Sequence, residues 1–370
     1  MKKLPKVWRR IEVCLVLLLP LALITSLPVQ SLAELSSNAS VYATGLDNPR
    51  GLKFGPDGNL YVAEAGSGGS TSTVTICPEL QIGPPFGPYT NGRTARISRI
   101  DSQGNRITVL DGLPSGQSQA PDWQGIADIA FIGDRLFALI QGGGCSYGEV
   151  TIPKSIAEVD QQSKTFQIIA DLGAFRRANP PALSDDDLET EGVHYSMTAR
   201  HGQLYVLDAN SSALLKVSLN GHIKRIVDFS AALGQHVTPV TMDWRGVLYV
   251  GNLFEFPIVD GASSIFQVTP SGKVRTKFTG LTAVVGIVFD QRKRLYVLEM
   301  GNGQGSGFPD PEAGRIVRIL PSGKRDVIAT GFTFPTAITL GPDGRLYVSN
   351  HGFDIPAVGT GEIVVVEIPD

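Results

Sequence analysis

The sequence predicts an all-β chain folded as a six-bladed β-propeller, and three observations support this prediction. A phrase of the type Leu-Tyr-Val, preceded by a tight turn and an apolar run, recurs six times. Each copy lies in a unit long enough for four short strands. The stretch that starts at Val41 matches the stretch that starts at Val327 at 13 of 26 positions without a gap. Such repeats indicate stacked sheets, because one four-stranded sheet cannot bury both of its faces alone.

The repeated phrase sets the number of units and the order of strands within each unit. Its six copies start at Leu60, Leu136, Leu204, Leu248, Leu295 and Leu346. In the first unit, GLKF, LYVAE, ISRID and ITVLDG are four short runs separated by connections, of which the first is GPDG. Gly, Pro, Asp and Asn in the short turns favour hairpins, so the runs are predicted to be antiparallel strands.

The two chain ends are predicted to meet in one blade. The last unit stops after its third strand, EIVVVEI, at the end of the chain. Residues 41–45 (VYATG) correspond to residues 327–331 (VIATG), which form the fourth strand of unit five. We therefore expect the N-terminal strand to complete the last blade, which would otherwise present an unpaired edge.

Composition and charge narrow the class of protein. A hydrophobic content of 42% provides for a core, and 42 Gly and 24 Pro serve the many turns, so the chain is not of the disordered class. The formal net charge of -3 becomes about -7 if the five basic residues of the N-terminus and Glu12 are removed. This acidic balance argues against a nucleic-acid partner.

Residues 1–33 are predicted to be a secretory signal peptide. MKKLPKVWRR is basic, VCLVLLLPLALI is apolar, and Ser31-Leu32-Ala33 offers small residues for cleavage. An uncleaved membrane anchor is the alternative, although the apolar run contains Pro20 and is shorter than the roughly 20 residues of a membrane span. We expect a periplasmic or secreted protein whose single domain, residues 34–370, has no stable membrane anchor.

The cysteines of the remaining chain are predicted to form one disulfide. Cys14 would leave with the signal peptide, and Cys77 and Cys145 would enter an oxidising compartment. Both follow the Leu-Tyr-Val type strand of adjacent units, so they emerge on the same face of neighbouring blades, where bridging is reasonable.

The face that carries the long connections is the predicted ligand-binding face. Turns after first and third strands are short, whereas the variable lengths fall after second strands and between units, as in residues 64–92 and 172–193. Ligands are commonly bound by loops held above a rigid scaffold. We expect a small aromatic or polar ligand there, and a protein or glycan bound to the loop face is the alternative.

A ring of oxygen-bearing side chains is a candidate metal site on that face. Four residues after the start of the repeated phrase, five of the six units carry a carboxylate or amide: Glu64, Asp208, Asn252, Glu299 and Asn350. Turned inward, they would suit a divalent cation, Ca²⁺ above all. The alternative is that each side chain only caps the neighbouring loop by accepting backbone N–H groups.

Candidate acid/base and substrate-binding residues also fall near the variable face. The acid/base candidates are His194, His236, His351 and Tyr195, since imidazole titrates near neutral pH; packing of polar loop residues is the alternative. Arg50 and Asp128 are candidate substrate-binding residues at the starts of first strands. Arg50 would face an anionic ligand or, alternatively, pair with a neighbouring carboxylate.

Two loop segments carry further expectations. The run SDDDLETE, residues 184–191, is predicted to be a solvated loop, with a surface cation site as the alternative. The insertion that holds Cys77, Phe86 and Tyr89 is predicted to be a packed loop or an apolar lid over a ligand. No G-x-S-x-G, H-E-x-x-H or P-loop motif is present, and no organic cofactor is predicted.

The segments NPRGLKFGPDGNLYVAEAG, GPYTNGRTARISRID, LIQGGGCSYG, LYVGNLFEFPI and FPTAITLGPDGRLYVSNHG together resemble the ScyD/ScyE family of NHL-like repeat proteins. The resemblance spans roughly residues 41–370. It implies a secreted or periplasmic protein associated with biosynthesis of scytonemin, an indole-phenolic pigment whose late, oxidative steps occur outside the cytoplasm. Three functions stay open: metal-assisted oxidation or coupling of a pigment precursor, a calcium-dependent lactonase or hydrolase, and a non-catalytic binding propeller. A shared fold does not decide which of these three functions the protein has.

Overall fold

A computed structural model describes residues 34–84, 87–118, 122–183, 189–254, 257–301, 309–353 and 358–369. The predicted signal peptide lies outside these residues. Six antiparallel sheets contain four main strands each, and the first strand of every sheet packs against the first strands of its two neighbours. The ring closes between the sixth and the first sheet. The chain is a six-bladed β-propeller, as the repeats predict.

The strands of blades 1 to 3 follow the chain in order. Blade 1 consists of Pro49–Phe54, Leu60–Glu64, Thr90–Ile100 and Arg106–Gln117, with the short strands Thr71–Ser72 and Trp123–Gln124 at its upper end. Blade 2 consists of Ile126–Ile132, Arg135–Ile140, Ser155–Asp160 and Thr165–Asp171. Blade 3 consists of His194–Arg200, Gln203–Asp208, Ala213–Val217 and Ile223–Asp228.

Blades 4 to 6 have the same order, and the last one borrows a strand from the other chain end. Blade 4 consists of Pro239–Arg245, Val247–Asn252, Ser263–Val268 and Val274–Leu281. Blade 5 consists of Val284–Phe289, Leu295–Glu299, Gly314–Ile319 and Arg325–Phe332. Blade 6 consists of Ala337–Leu340, Leu346–Asn350, Gly361–Val366 and Ala39–Leu46.

Helices are few and short. The described residues form two α-helices, Leu172–Ala178 and Phe229–Leu233, and two 3-10 helices, Pro78–Leu80 and Cys145–Tyr147. Each α-helix starts after an aspartate, Asp171 or Asp228, whose carboxylate accepts a backbone N–H of the first turn. In the part of the chain that the structure describes, no helix has the length and apolarity needed to cross a membrane.

The predicted closure of the ring by the N-terminal strand is confirmed. Ala39–Leu46 pairs antiparallel with Gly361–Val366, and Ala39 lies opposite Val366. Asn38 extends the pairing, because its carbonyl accepts the Glu367 N–H at 2.8 Å and its side-chain amide donates to the Glu367 carbonyl at 2.9 Å. The two chain ends therefore share one sheet.

The tyrosine of the repeated phrase explains why the phrase recurs. In four blades its ring packs on an aromatic ring at the end of the first strand of the next blade, with ring centroids 4.8 to 5.3 Å apart. The four pairs are Tyr61–Phe131, Tyr205–Trp244, Tyr249–Phe289 and Tyr347–Phe54. Such ring pairs stabilise the fold in addition to the burial of the neighbouring leucine and valine. The repeated phrase therefore supplies a contact between adjacent blades.

Candidate functional site

A central cavity of about 780 Å³ lies where the six first strands meet. Every first strand contributes side chains, and loops of the variable face complete the wall. The wall is mostly apolar and includes the rings of Trp123, Tyr195, Phe254 and Phe353. Concave sites of this size, apolar with a few polar groups, are typical of small-molecule binding.

Irregular pairing at the start of the first strands directs side chains to this cavity. In five blades the register between the first and second strands shifts within the first few residues. The shifts lie at Pro49/Leu52, Ile126/Asp128, His194/Ser196, Pro239/Thr241 and Val284/Gly286. A bulge breaks the strict alternation of a strand and re-aims its side chains. Adjacent residues such as His194 and Tyr195 can thus both line the cavity.

The structure brings together most of the predicted acid/base and substrate-binding residues. Five of these six line the cavity wall: Arg50, Asp128, His194, Tyr195 and His236. His351 does not line it; its Nε2 lies 3.8 Å from Glu362 Oε1 in blade 6. The Asp128 carboxylate is buried and accepts the backbone N–H groups of Ile129 and Met197, and burial raises its pKa.

The five predicted metal ligands lie elsewhere and hold the connections between blades. None lines the cavity, and each is buried. Each accepts a backbone N–H of the preceding connection: Asp47 N to Glu64 at 2.7 Å, Val193 N to Asp208 at 3.0 Å, Thr238 N to Asn252 at 2.8 Å, Thr282 N to Glu299 at 2.8 Å and Thr333 N to Asn350 at 2.9 Å. A buried N–H must find an acceptor, so these oxygens act as caps.

These five side chains do not form a calcium site in the described structure. Arg96 lies 2.7 Å from the Glu64 carboxylate and Arg315 lies 2.5 Å from that of Glu299, so both charges are already balanced. Within residues 34–369, leaving aside the undescribed gaps, no three His, Cys, Asp or Glu side chains are grouped as a metal site requires. The single ring expected from the sequence is therefore replaced by separate caps, because each connection carries its own buried donor.

His194 is a buried, neutral imidazole at the cavity wall. It is fully buried, and neither ring nitrogen makes a hydrogen bond within the described chain. Burial lowers its pKa to about 4; Asp208, whose Oδ2 lies 3.8 Å from His194 Nε2, opposes this shift, while the charges of Lys154 and Arg176 add to it. At neutral pH the ring carries one donor and one acceptor nitrogen.

Replacing His194 with Gln is expected to make the unfolding free energy depend less on pH between pH 4 and 7. An unfolded histidine has a pKa of about 6.5, so the lowered pKa favours the folded state above pH 6.5, and this contribution is lost as the pH falls towards 4. Urea unfolding from pH 4 to 7 would show a fall in unfolding free energy that is smaller in His194→Gln by up to about 3 kcal/mol. His222→Gln, at an exposed turn, is the matched control; identical curves for His194→Gln and the unmodified chain would contradict this expectation.

A buried polar network beside the cavity was not predicted from the sequence. Lys154 is fully buried and its Nζ lies 2.6 Å from Glu189 Oε2. The Tyr147 hydroxyl donates to the other Glu189 oxygen. The ring of Tyr147 lies 4.6 Å from that of Tyr89, whose hydroxyl donates to Asp122 at 2.5 Å. Burial raises the pKa of Glu189 to about 7, and Lys154 opposes the rise. Glu189, Tyr89 and Asp122 line the cavity.

This network corrects the prediction of a solvated loop at residues 184–191. Residues 184–188 lie outside the described chain, but Glu189 and Glu191 are buried. Glu191 accepts from Ser146 N at 2.9 Å and pairs with Arg177. Two glutamates of this acidic run, Glu189 and Glu191, form ion pairs with Lys154 and Arg177. The partners are distant in the sequence, so no local pattern predicts these pairs.

The predicted disulfide is confirmed and anchors part of this network. Cys77 and Cys145 are bonded, with their Cα atoms 5.6 Å apart. The bond joins the insertion that carries Tyr89 to the loop that carries Tyr147. Phe86, the other aromatic residue expected in a lid, lies outside the described residues. The insertion therefore brings Ile82 and Tyr89 to the cavity wall.

Buried polar atoms without hydrogen-bond partners concentrate at the cavity. Four cavity-lining residues carry such atoms: Trp123 (Nε1), His194 (both ring nitrogens), Tyr195 (Oη) and Asn210 (Oδ1). Buried polar groups are satisfied in the great majority of cases, and leaving one unsatisfied costs about 1–3 kcal/mol. The wall thus offers donors and acceptors that the described chain itself does not use.

No family model and no curated protein matches the sequence. Solved structures do match. A protein of unknown function from Bacteroides thetaiotaomicron has a TM-score of 0.55 at 11% identity, over 90% of this chain and 76% of that chain. The gluconolactonase XC5397 of Xanthomonas campestris has a TM-score of 0.52 at 8% identity, over 90% and 89%. Regucalcin of Agrobacterium tumefaciens, a calcium-binding protein, has a TM-score of 0.52 at 14% identity, over 89% and 92%. At such identities the likeness shows the fold alone.

Proposed function

We propose that this propeller binds a small organic molecule with a largely apolar body and a few hydrogen-bonding groups in its central cavity. The observation that carries the proposal is that four residues of the cavity wall hold buried polar atoms without a hydrogen-bond partner in the described part of the chain: Trp123, His194, Tyr195 and Asn210. A ligand that pairs with them would recover the cost of their burial. The apolar remainder of the wall favours an aromatic or aliphatic body.

An indole-phenolic pigment precursor is the ligand that the ScyD/ScyE resemblance suggests. The aromatic rings in the wall and its mixture of donors and acceptors support such a compound. The Cys77–Cys145 disulfide supports the proposed periplasmic or secreted location, because disulfides persist in oxidising compartments. The proposed role is binding of the precursor during the extracytoplasmic steps.

Hydrolysis of a lactone is a second candidate function. The observation that favours it is the Glu189 carboxyl at the cavity wall, because its pKa of about 7 suits acid/base exchange at neutral pH. The Xanthomonas protein with the same fold is named a gluconolactonase. Regucalcin makes a divalent cation plausible for this fold, but the five capping oxygens are already bonded, and we derive no step through a metal.

Filling the cavity is expected to abolish ligand binding. Trp123 lies in the wall, and Trp244 is the other tryptophan of residues 34–370, so a Trp244→Phe background lets fluorescence report on the cavity. Titration with a compound that joins an indole and a phenol ring should quench Trp123. Ala337→Phe, which places a ring in the cavity, should weaken this binding at least tenfold, a loss of about 1.4 kcal/mol.

The matched control is Ala232→Phe, the same change at an exposed position of the helix Phe229–Leu233; it should bind like the unmodified chain. Saturable quenching that Ala337→Phe leaves unchanged would contradict the cavity as the binding site. Turnover of glucono-δ-lactone by the unmodified chain, lost in Glu189→Gln, would favour the second function instead.

A further inference from the structure

Arg50 occupies an unusual position for a charged residue. It is 7% exposed and lines the central cavity at the start of the first strand of blade 1. Its Nη2 donates to the Trp123 carbonyl at 2.7 Å, and its guanidinium carbon lies 3.8 Å from the centre of the Phe353 ring. These contacts hold the guanidinium plane in place.

Among the described residues the guanidinium has no carboxylate partner. The ion pairs of the described chain include none to Arg50, whereas Arg96 pairs with Glu64 at 2.7 Å, Arg315 with Glu299 at 2.5 Å and Arg318 with Asp326 at 2.6 Å. The alternative expected from the sequence, a pair with a neighbouring carboxylate, is therefore not what the described residues show. A buried charge is costly unless it is paired.

The acidic side chains of the cavity wall are engaged elsewhere. Asp122 accepts from Tyr89 and from Gln124. Asp128 accepts two backbone N–H groups, and Glu189 is paired with Lys154. The second cation of the wall, Lys53, lies near Asp128 and Asp243, since its charge opposes the rise in the pKa of both carboxyls. None of these carboxylates forms an ion pair with Arg50 among the described residues, although the negative charge of Asp122 also reaches the Tyr195 hydroxyl beside it.

A second polar group stands beside this charge. The Tyr195 hydroxyl is buried and makes no hydrogen bond among the described residues. Burial raises the pKa of Tyr195; Arg50 opposes that rise through its positive charge and its proximity to the hydroxyl, whereas the negative charge of Asp122 adds to the rise. Arg50 and the Tyr195 hydroxyl therefore lie close together. A hydroxyl donor beside a planar guanidinium matches the two oxygens of a carboxylate.

We propose that Arg50 and the Tyr195 hydroxyl bind the carboxylate of an aromatic monocarboxylic acid whose ring occupies the apolar part of the central cavity. This inference rests on the proposed function and specifies its ligand class. One cation at an apolar wall suits a monoanion, whereas a phosphate dianion would call for a second cation at the same point. The rings of Trp123, Phe254 and Phe353 supply the apolar surface for the aromatic body.

The test compares 3-phenylpropionate with 3-phenylpropionamide, which has nearly the same shape and no charge. By titration calorimetry on the unmodified chain, the acid should bind at least about tenfold more tightly than the amide, because a charge-assisted hydrogen bond is lost with the amide. This comparison requires no variant. Equal affinities would overturn the carboxylate site and leave the proposed function standing. Absence of binding by both compounds would also overturn the carboxylate site, and the Trp123 titration with the indole–phenol compound then decides the proposed function separately.

Variants then locate the site. Arg50→Gln should weaken binding of the acid about tenfold or more and change binding of the amide little. Lys224→Gln, which removes one positive charge at an exposed position of Ile223–Asp228 outside the cavity, is the matched control and should leave the preference for the acid intact. An equal loss of affinity for the acid in both variants would show that the overall positive charge attracts the acid, and it would overturn Arg50 as the binding residue. Displacement of the acid by an equal concentration of inorganic phosphate would overturn it in favour of a phosphate site.

Discussion

Deletion of residues 34–46 is expected to leave a chain that no longer folds cooperatively. This segment supplies the fourth strand of blade 6, pairs along its length with Gly361–Val366, and buries Ala43 and Leu46 against the neighbouring blades. Its loss exposes the edge of Gly361–Val366 and removes the strand through which the N-terminal part of the chain is tied to the last blade. The expected cost of several kcal/mol is comparable with the whole stability of a domain, about 5–15 kcal/mol.

The measurement is urea unfolding followed by circular dichroism, together with the soluble fraction after expression. A circular permutant is the matched control. Because Ala39 lies opposite Val366, residues 38–46 can follow residue 367 through a short hairpin loop, and the chain then begins at Asp47. This permutant has the same sheet and should unfold cooperatively. A deletion variant as stable as the unmodified chain would show that the closing strand is dispensable.

Lys154→Met is expected to be the most destabilising single substitution at the site. Its ammonium group is fully buried, 2.6 Å from Glu189 Oε2 and 2.8 Å from the Gly192 carbonyl. Removing it leaves the Glu189 carboxylate buried without its cation, which costs about 3–5 kcal/mol. Unfolding free energies at pH 8 would measure the loss.

The pH dependence of this loss has a definite sign. The pKa of Glu189 in the folded chain is about 7, above the value of about 4.3 for a free side chain, so Glu189 favours the folded state at low pH and this contribution is lost as the pH rises through 7. Without Lys154 the carboxyl is expected to remain protonated to still higher pH, so Lys154→Met should cost less at pH 5 than at pH 8.

Two further variants test the same pair. Glu189→Gln in the Lys154→Met background removes the stranded charge and should restore much of the stability at pH 8. Arg135→Met breaks the exposed pair of Arg135 with Glu158, whose atoms lie 2.6 Å apart, and should change stability little, because exposed pairs contribute little. A similar effect of Arg135→Met and Lys154→Met would contradict the importance of burial.

The architecture of the propeller follows from patterns in the sequence. Six copies of one phrase set six blades, the match between residues 41–45 and 327–331 identified the closing strand, and two cysteines after equivalent strands indicated the disulfide. The number of blades, the closing strand and the disulfide each follow from local sequence patterns and from the spacing of the repeats. The tyrosine of the phrase fits this view, since its contact with the next blade is repeated with the same spacing.

Which polar side chains face the cavity depends on contacts between residues distant in the chain. Glu64 and Glu299 occupy equivalent repeat positions and were expected to point inward, yet buried backbone donors of the connections engage them. Arg50 and Phe353 are in contact although about 300 residues separate them, and no carboxylate in the described part of the chain forms an ion pair with Arg50. Such contacts depend on strand bulges and on closure of the ring. Neither feature leaves a periodic signal in the sequence, because each is set by the packing of blades that are distant in the chain.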